Sequence, residues 1–357
     1  MTERYAAIDI GTVTCRMLVA DVEGGRVVPV ARRYAITNLG EGVDAAGVLK
    51  REAMDRVARV IEGYLAARDT LNTPESPVRK TVCVATSAAR DAENAAEFTE
   101  MLAKLGLELA VIPGEQEAAL SFRGASAEFA GAGEHAGERR AEHGGDEHGD
   151  GERRDAALPA GSVNGAASPC SPPTPVPPRI MVVDVGGGST EVVTGPAGGN
   201  PETAHSFDIG CRRVTERFLK SDPPTAGELA AARAWCAEQF AAYFEQTPAA
   251  RAVERMVAVA GTATTAVSIR EQMETYDSAR VHGAQVTRSE LAGIEQRLAS
   301  LPLRERERVV GLDPGRAPVI TAGLLILEEV MRAVGAERFT ASESDILQGI
   351  VLAAAGK

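Results

Sequence analysis

Two short stretches of this 357-residue chain carry carboxylates, glycines and hydroxyls in the same order. Asp9-Ile-Gly-Thr-Val-Thr closes one apolar run, and Asp184-Val-Gly-Gly-Gly-Ser-Thr closes another, 175 positions later. Glycine lets the backbone turn tightly and approach a ligand, so that several N–H groups converge on one anion. In the second stretch Gly186, Gly187 and Gly188 supply that freedom, while Ser189 and Thr190 add hydroxyl donors. Asp184 and Glu191 are hard oxygen ligands of the kind Mg²⁺ takes when it shares a site with phosphate. The first stretch is plainer: Asp9, Gly11, Thr12 and Thr14, then Arg16 on the same strand face as Thr14, where a guanidinium can grip phosphate oxygens. One such turn alone reads as an ordinary β-turn with solvated acids. Two of them favour phosphate binding, and a facing pair would hold a chain of phosphates better than a single group.

Other candidates lie at strand-to-helix junctions. In Thr86-Ser-Ala-Ala-Arg-Asp-Ala-Glu-Asn, Ser87 and Arg90 would sit at a helix start, where the dipole favours anions. The same residues read equally well as a cap and as an arginine paired with Asp91, Glu93 or Glu97. VIPGEQEAALSFRG (111–124) puts Glu115 and Glu117 in the first turn of a helix. Acids there ordinarily offset the dipole, but one of them near phosphate would serve as the general base that deprotonates an attacking water. DIGCRRVTERFL places Arg212 and Arg213 beside a glycine, and VAGTATTAV offers Gly261 and Thr262 on a further strand-to-helix turn. His282 reads as a half-buried loop histidine.

The elements that position these residues form two similar sets. YAAIDIGTVTCRMLVADVEGGRVVPV reads as strand, tight turn, strand and hairpin, and RIMVVDVGGGSTEVVTGPAGG repeats the plan. Alanine-rich helical patterns then alternate with short apolar strands such as TVCVATSA and MVAVAGTATT, which argues for two related α/β domains. Residues 1–123 form the first and 179–339 the second, with the apolar helix in 340–357 expected to return to the first. Between them, residues 124–178 hold nine acidic and four basic residues, His135, His143 and His148, and a proline-rich end. This insert is too poor in large apolar groups to fold and is expected to be disordered, with the histidines solvated.

Composition narrows the function further. A net charge of −12 argues against nucleic-acid binding, which rests on neutralising phosphates with basic residues. No apolar run approaches membrane-span length, the N-terminus has no secretion-signal pattern, and five scattered cysteines without a CxxC pair suit a reducing cytoplasm.

The motifs DIGTVTCR, TSAARDAEN, IPGEQEA, VVDVGGGSTE, GCRRVTERF, AGTATT, VHG and GRAPVITAG, in that order, resemble the exopolyphosphatase / guanosine pentaphosphate phosphohydrolase (Ppx/GppA) family. The resemblance covers both halves and misses only 124–178. It implies two actin-like, ribonuclease-H-like domains around a cleft, and it puts the catalytic glutamate, the last acid of the family's GExEA motif, on Glu117. It carries phosphate contacts onto Arg90, Arg16, Gly187, Gly188, Ser189 and Thr190, and a metal-associated carboxylate onto Asp184. Glu191 matches the closing acid of the second turn, and Arg213 an arginine of the family's GxVRLTE stretch. Val13 stands where the family's DIGSNS turn has Asn, so one side-chain contact is lost. The chain stops at Lys357, before the helical domain of long members, which suggests shorter polyphosphates.

The resulting expectation is a cytoplasmic, Mg²⁺-dependent exopolyphosphatase, a homodimer, with no nucleic-acid or membrane partner. Glu117 and Arg90 are catalytic. Thr12, Arg16, Ser87, Gly186, Gly187, Gly188, Ser189, Thr190, Arg213, Gly261 and Thr262 bind phosphate, and Asp184, Glu191 and Asp9 bind the metal. The alternatives are guanosine pentaphosphate as substrate, a sugar-kinase-type phosphoryl transferase, and a non-catalytic sensor of polyphosphate or the alarmone.

Overall fold

A computed structural model describes residues 2–129 and 176–357. The expected insert, with its three histidines, lies largely outside the described residues.

Each half builds one sheet on the same plan. In the first, β1 (Glu3–Ile10), β2 (Thr14–Glu23) and β3 (Arg26–Ile36) form an antiparallel meander, and β4 (Val78–Ala85) and β5 (Leu109–Val111) extend it in parallel, in the order β3-β2-β1-β4-β5. In the second, β6 (Arg179–Val185), β7 (Thr190–Pro196) and β8 (Thr203–Phe207) repeat the meander. There β9 (Arg255–Val259) and β11 (Arg338–Ala341) run parallel to β6, and β10 (Gln285–Thr287) closes the edge antiparallel, in the order β10-β11-β9-β6-β7-β8. The repeat holds at the level of register: Asp9 opposes Arg16 across the first turn and Asp184 opposes Glu191 across the second. Both turns close with the same bond, Gly11 N–H to Thr14 C=O (2.8 Å) and Gly186 N–H to Ser189 C=O (3.0 Å).

Two helices connect the halves, and each packs on the sheet it leads to. Helix Gly114–Ser126, leaving the first sheet, lays Ala118, Phe122 and Ala125 against Ile180, Val182, Val193 and Val257 of the second. Helix Ile346–Ala354 returns Ile346, Leu347, Ile350 and Val351 to Tyr5, Ala7, Leu18 and Val84 of the first. The two cross at glycines: a Cβ on Gly124 would lie 1.9 Å from the Asp345 carbonyl oxygen, and one on Gly349 2.0 Å from that of Leu120. Backbone-to-backbone contact this close admits no side chain.

Both expected boundaries shift. The outgoing helix runs through Gly124 to Ser126, with a 3₁₀ turn to Phe129, because its apolar face continues onto the second sheet, so the insert does not start at 124. At the other end β11 extends to Ala341 and pairs with β9, which keeps residues 340 and 341 in the second lobe.

Candidate active site

The two turns abut. A Cβ on Gly187 would lie 2.7 Å from both the Thr12 and Val13 side chains, and one on Gly188 would lie 2.2 Å from Ser87 Oγ, so the glycines are what let the lobes close. Val13, the departure from the family's Asn, is buried and joins the apolar core of the second lobe with Val185 and Cys211. At this position an interlobe packing contact replaces a polar one.

The carbonyls of the second turn all face helix Cys211–Phe218. Gly186 C=O accepts from Cys211 N–H (2.9 Å), Gly187 C=O from Arg212 N–H (2.9 Å), and Gly188 C=O from Arg213 Nε–H (3.0 Å). In a trans peptide the next N–H points opposite to the C=O. The amides of Gly187, Gly188 and Ser189 are therefore turned away from that helix and toward the space in front of it, where they can donate to an anion. That space is a cavity of about 60 Å³ walled by both turns, Thr86, Glu117, Asp184, Gly261, Thr262 and Arg316. At roughly 30 Å³ per water it has room for a pair of waters or one phosphoryl group. It shares Arg16, Ala260, Gly261 and Arg316 with an adjoining cleft of about 890 Å³.

Asp9, Glu117 and Asp184 line the cavity, and Glu191 is buried behind it. Glu117, buried in the first turn of its helix, accepts from Arg90 Nη1 (3.2 Å), which also donates to Ile112 C=O (2.9 Å). Burial pushes the Glu117 carboxyl up to about 8, the Asp184 and Asp9 charges add to the shift, and Arg90 offsets only part of it. Burial likewise raises Asp184, which accepts from Ser121 Oγ at 2.9 Å, and raises Glu191 well above the carboxylate range, with Glu117 and Asp184 adding to it. Three acids that resist ionising together are a reservoir for a proton and an attraction for a cation.

Most of the expected residues reach the cavity: Asp9, Thr12, Arg16, Glu117, Asp184, Gly186, Gly187, Gly188, Ser189, Gly261 and Thr262. Others do not. Thr190 donates its hydroxyl to Ile209 C=O in the interior (2.5 Å). Ser87 packs behind Gly188 and donates to Asp91, while its neighbour Thr86 takes the wall position. Arg90 stands behind Glu117. Arg213 lies on the far side of the turn, and Glu191 is buried against Ser206 Oγ (2.7 Å). Arg16 lines the cavity but is held by Asp9 (2.6 Å) and by Asp345 at the start of the return helix, so it is a clamp between carboxylates rather than a free phosphate ligand.

The expected metal trio is not assembled. Among the described residues no three His, Cys, Asp or Glu side chains gather closely enough to hold a metal ion, since Asp9 is bound to Arg16 and Glu191 points to Ser206. Asp184 alone of the three both faces the cavity and carries no arginine, which fits Mg²⁺ held by one carboxylate and substrate oxygens.

Sequence reasoning missed Arg316 and Asp345. The Arg316 guanidinium lies on Gly261, whose Cβ would meet it at 2.0 Å, stacks over Tyr34 (5.7 Å), and has no carboxylate within salt-bridge distance among the described residues. The preceding Ala260 takes a left-handed φ of 61°. GRAPVITAG was the available signal for Arg316. For Asp345 it was the Asp that precedes an apolar helix and caps it.

Two lobes of one topology, meeting at paired turns over a carboxylate-lined cavity, define a two-domain actin-like fold. The model of the Ppx/GppA phosphatase family matches residues 18–136 and 174–357. Exopolyphosphatase 2 of Mycobacterium tuberculosis is 35% identical over 99% of both chains. Among solved structures, an exopolyphosphatase-like protein aligns with a TM-score of 0.77 at 29% identity, covering 99% of this chain and 98% of the other. An Aquifex aeolicus family member aligns at 0.72 and 25%, with the same coverage. The chain belongs to the Ppx/GppA phosphatase family and is a hydrolase. The sensor alternative is thereby set aside.

Proposed function

We propose that this chain is an exopolyphosphatase acting on short inorganic polyphosphate. The observation that carries the reading is Glu117: a buried carboxylate with a raised proton affinity, on the wall of a small cavity that the glycine turn also lines. The terminal phosphoryl group would occupy that cavity. Glu117 takes a proton from a water, the water oxygen bonds to phosphorus, and the bridging P–O bond breaks with its electron pair leaving on the shortened chain. The Gly187, Gly188 and Ser189 amides bind the charge that develops on the equatorial oxygens. Bound Mg²⁺, held by Asp184, would supply further neutralisation of those oxygens.

The wide cleft takes the rest of the chain. Five arginines and five carboxylates line it, so it is locally neutral, in contrast to the −12 of the whole chain. A neutral cleft admits a polyanion without gripping a long one, which supports short substrates. Guanosine pentaphosphate is disfavoured, since the curated relative of 35% identity is named an exopolyphosphatase. Among the described residues four cysteines are free and buried, which supports a reducing, cytoplasmic setting. No helix among the described residues is long and apolar enough to cross a membrane.

The reading is tested by phosphate release from tripolyphosphate, long polyphosphate and guanosine pentaphosphate, each with Mg²⁺ and with a chelator. Release is expected with Mg²⁺, fastest per chain end from tripolyphosphate; release from guanosine pentaphosphate alone would overturn it. The pH profile has a definite sign. Glu117 works only when deprotonated, and burial raises its pKa to about 8. Below that value kcat/KM should climb roughly tenfold per pH unit and then level off. The same raised affinity means that stability contributed by protonated Glu117 is present at acid pH and lost as pH rises through about 8.

Gly261→Ala isolates Arg316. The new methyl meets the end of a flexible side chain, so Arg316 should swing away with little loss of stability. KM for tripolyphosphate is expected to rise roughly fivefold with kcat nearly unchanged, the loss of one charge-assisted contact. An unchanged KM would remove Arg316 from the substrate path.

A further inference from the structure

The turn amides can bind an anion only while their carbonyls stay fixed behind them. Two of those carbonyls are held by backbone amides of helix Cys211–Phe218, but the third, that of Gly188, is held by a side chain, Arg213. All three nitrogens of that guanidinium are engaged. Nε–H donates to Gly188 C=O at 3.0 Å, Nη1 to Asp44, and Nη2 to Asp91 at 2.5 Å. Asp44 and Asp91 belong to the first lobe; Gly188 belongs to the second. A guanidinium is a rigid planar fork, so fixing its two ends on carboxylates fixes the direction of the third N–H.

The same helix makes further bonds across the lobes. Arg217 Nη2 reaches Asp44 (3.2 Å), Gly42 N–H donates to Glu216 (3.2 Å), and Arg212 donates to Asn38. Arg217 also covers the ring of Trp235, the single tryptophan of the chain, at 5.0 Å. The Asp44 contacts therefore have an optical reporter.

We propose that Arg213 is a positioning residue: bridging Gly188 C=O to Asp44 and Asp91, it holds the Ser189 amide toward the cavity when the lobes are shut. This rests on the exopolyphosphatase reading and replaces the direct phosphate contact expected of Arg213. Once the lobes part, the fork loses both anchors and the third donor of the turn is free to rotate. Closure over a substrate and assembly of the oxyanion-binding turn become one event.

The test uses the full-length Asp44→Asn/Asp91→Asn double variant, in which Arg213 and every cavity residue are intact. Release of phosphate from tripolyphosphate should show kcat reduced roughly tenfold with KM within about twofold, because a donor used mainly in the transition state is loosened. Acrylamide quenching of Trp235 should increase as Arg217 is released. Arg213→Lys, which keeps the charge without the fork, should show the same fall in kcat. Each single Asp→Asn replacement should show a smaller one if the double variant folds poorly. Wild-type kcat in the double variant, or a KM increase at constant kcat in Arg213→Lys as for a direct phosphate ligand, would overturn the proposal. Should the wild-type protein release no phosphate from tripolyphosphate, the exopolyphosphatase reading fails separately. The bridge is then decided by hydrogen exchange at the Ser189 amide, which must be faster in the double variant than in wild type.

Discussion

Glu117→Gln should lower kcat on tripolyphosphate by about 10³-fold while leaving KM within about threefold, the signature of a lost general base. The replacement is nearly isosteric, and its amide oxygen can still accept from Arg90, so the helix start and the cavity wall keep their shape. Only the proton acceptor is removed. The variant should also be more stable than the wild type at alkaline pH. Glu117 sits among Asp184, Asp9 and Glu191, and ionising it there works against burial and against like charge. Removing that charge should raise the thermal midpoint at about pH 9 by a few degrees, the usual exchange of activity for stability at a functional site. An inactive variant with a raised midpoint cannot be dismissed as misfolded. Retained turnover, or a lowered midpoint together with lost turnover, would count against the assignment.

The second large effect is expected at the helix crossing. Gly349→Ala would drive a methyl to 2.0 Å from the Leu120 carbonyl oxygen, and neither backbone can move away without its helix. Overpacking of this kind costs about 2–3 kcal/mol, or roughly 5–10 °C in Tm for a domain of this size. The damage should also reach the chemistry. Leu120 lies one turn beyond Glu117 on the outgoing helix, and the return helix begins at Asp345, which holds Arg16. Pushing the helices apart shifts the base and the carboxylate clamp together, so activity at a temperature where the variant is fully folded should still fall by about tenfold. Circular dichroism melts and phosphate release on the same sample separate the two effects. A variant with wild-type melting and turnover would show that the crossing has room for a methyl group.

The sequence disclosed the repeat and what the repeat builds. Asp9 and Asp184 end equivalent strands, the turns after them close with the same bond, and Glu117 opens a helix behind Pro113, all within the span of a local motif. What a motif does not disclose is which way neighbouring side chains point. Ser189 ends the turn and lines the cavity, whereas Thr190 opens β7 and turns its hydroxyl to the interior. Long-range partners were hidden for a different reason. Arg16 meets Asp345, and Arg213 meets Asp44 and Asp91, only after two sheets and two crossing helices are in place. Arg90 and Arg213 are expected as a catalytic residue and a phosphate contact, yet the fold gives their charges to carboxylates of the chain itself. The glycines at 124 and 349 carried no pattern at all, since the close approach they allow is between helices distant in sequence.

The most direct test of the central claim is hydrolysis of tripolyphosphate in ¹⁸O-labelled water by the wild-type protein and by Glu117→Gln, following the products by mass spectrometry. Attack by a Glu117-activated water on the terminal phosphorus predicts orthophosphate carrying one heavy oxygen, an unlabelled diphosphate, and almost no product from the variant. Label in the diphosphate instead, or undiminished labelled orthophosphate from Glu117→Gln, would contradict it.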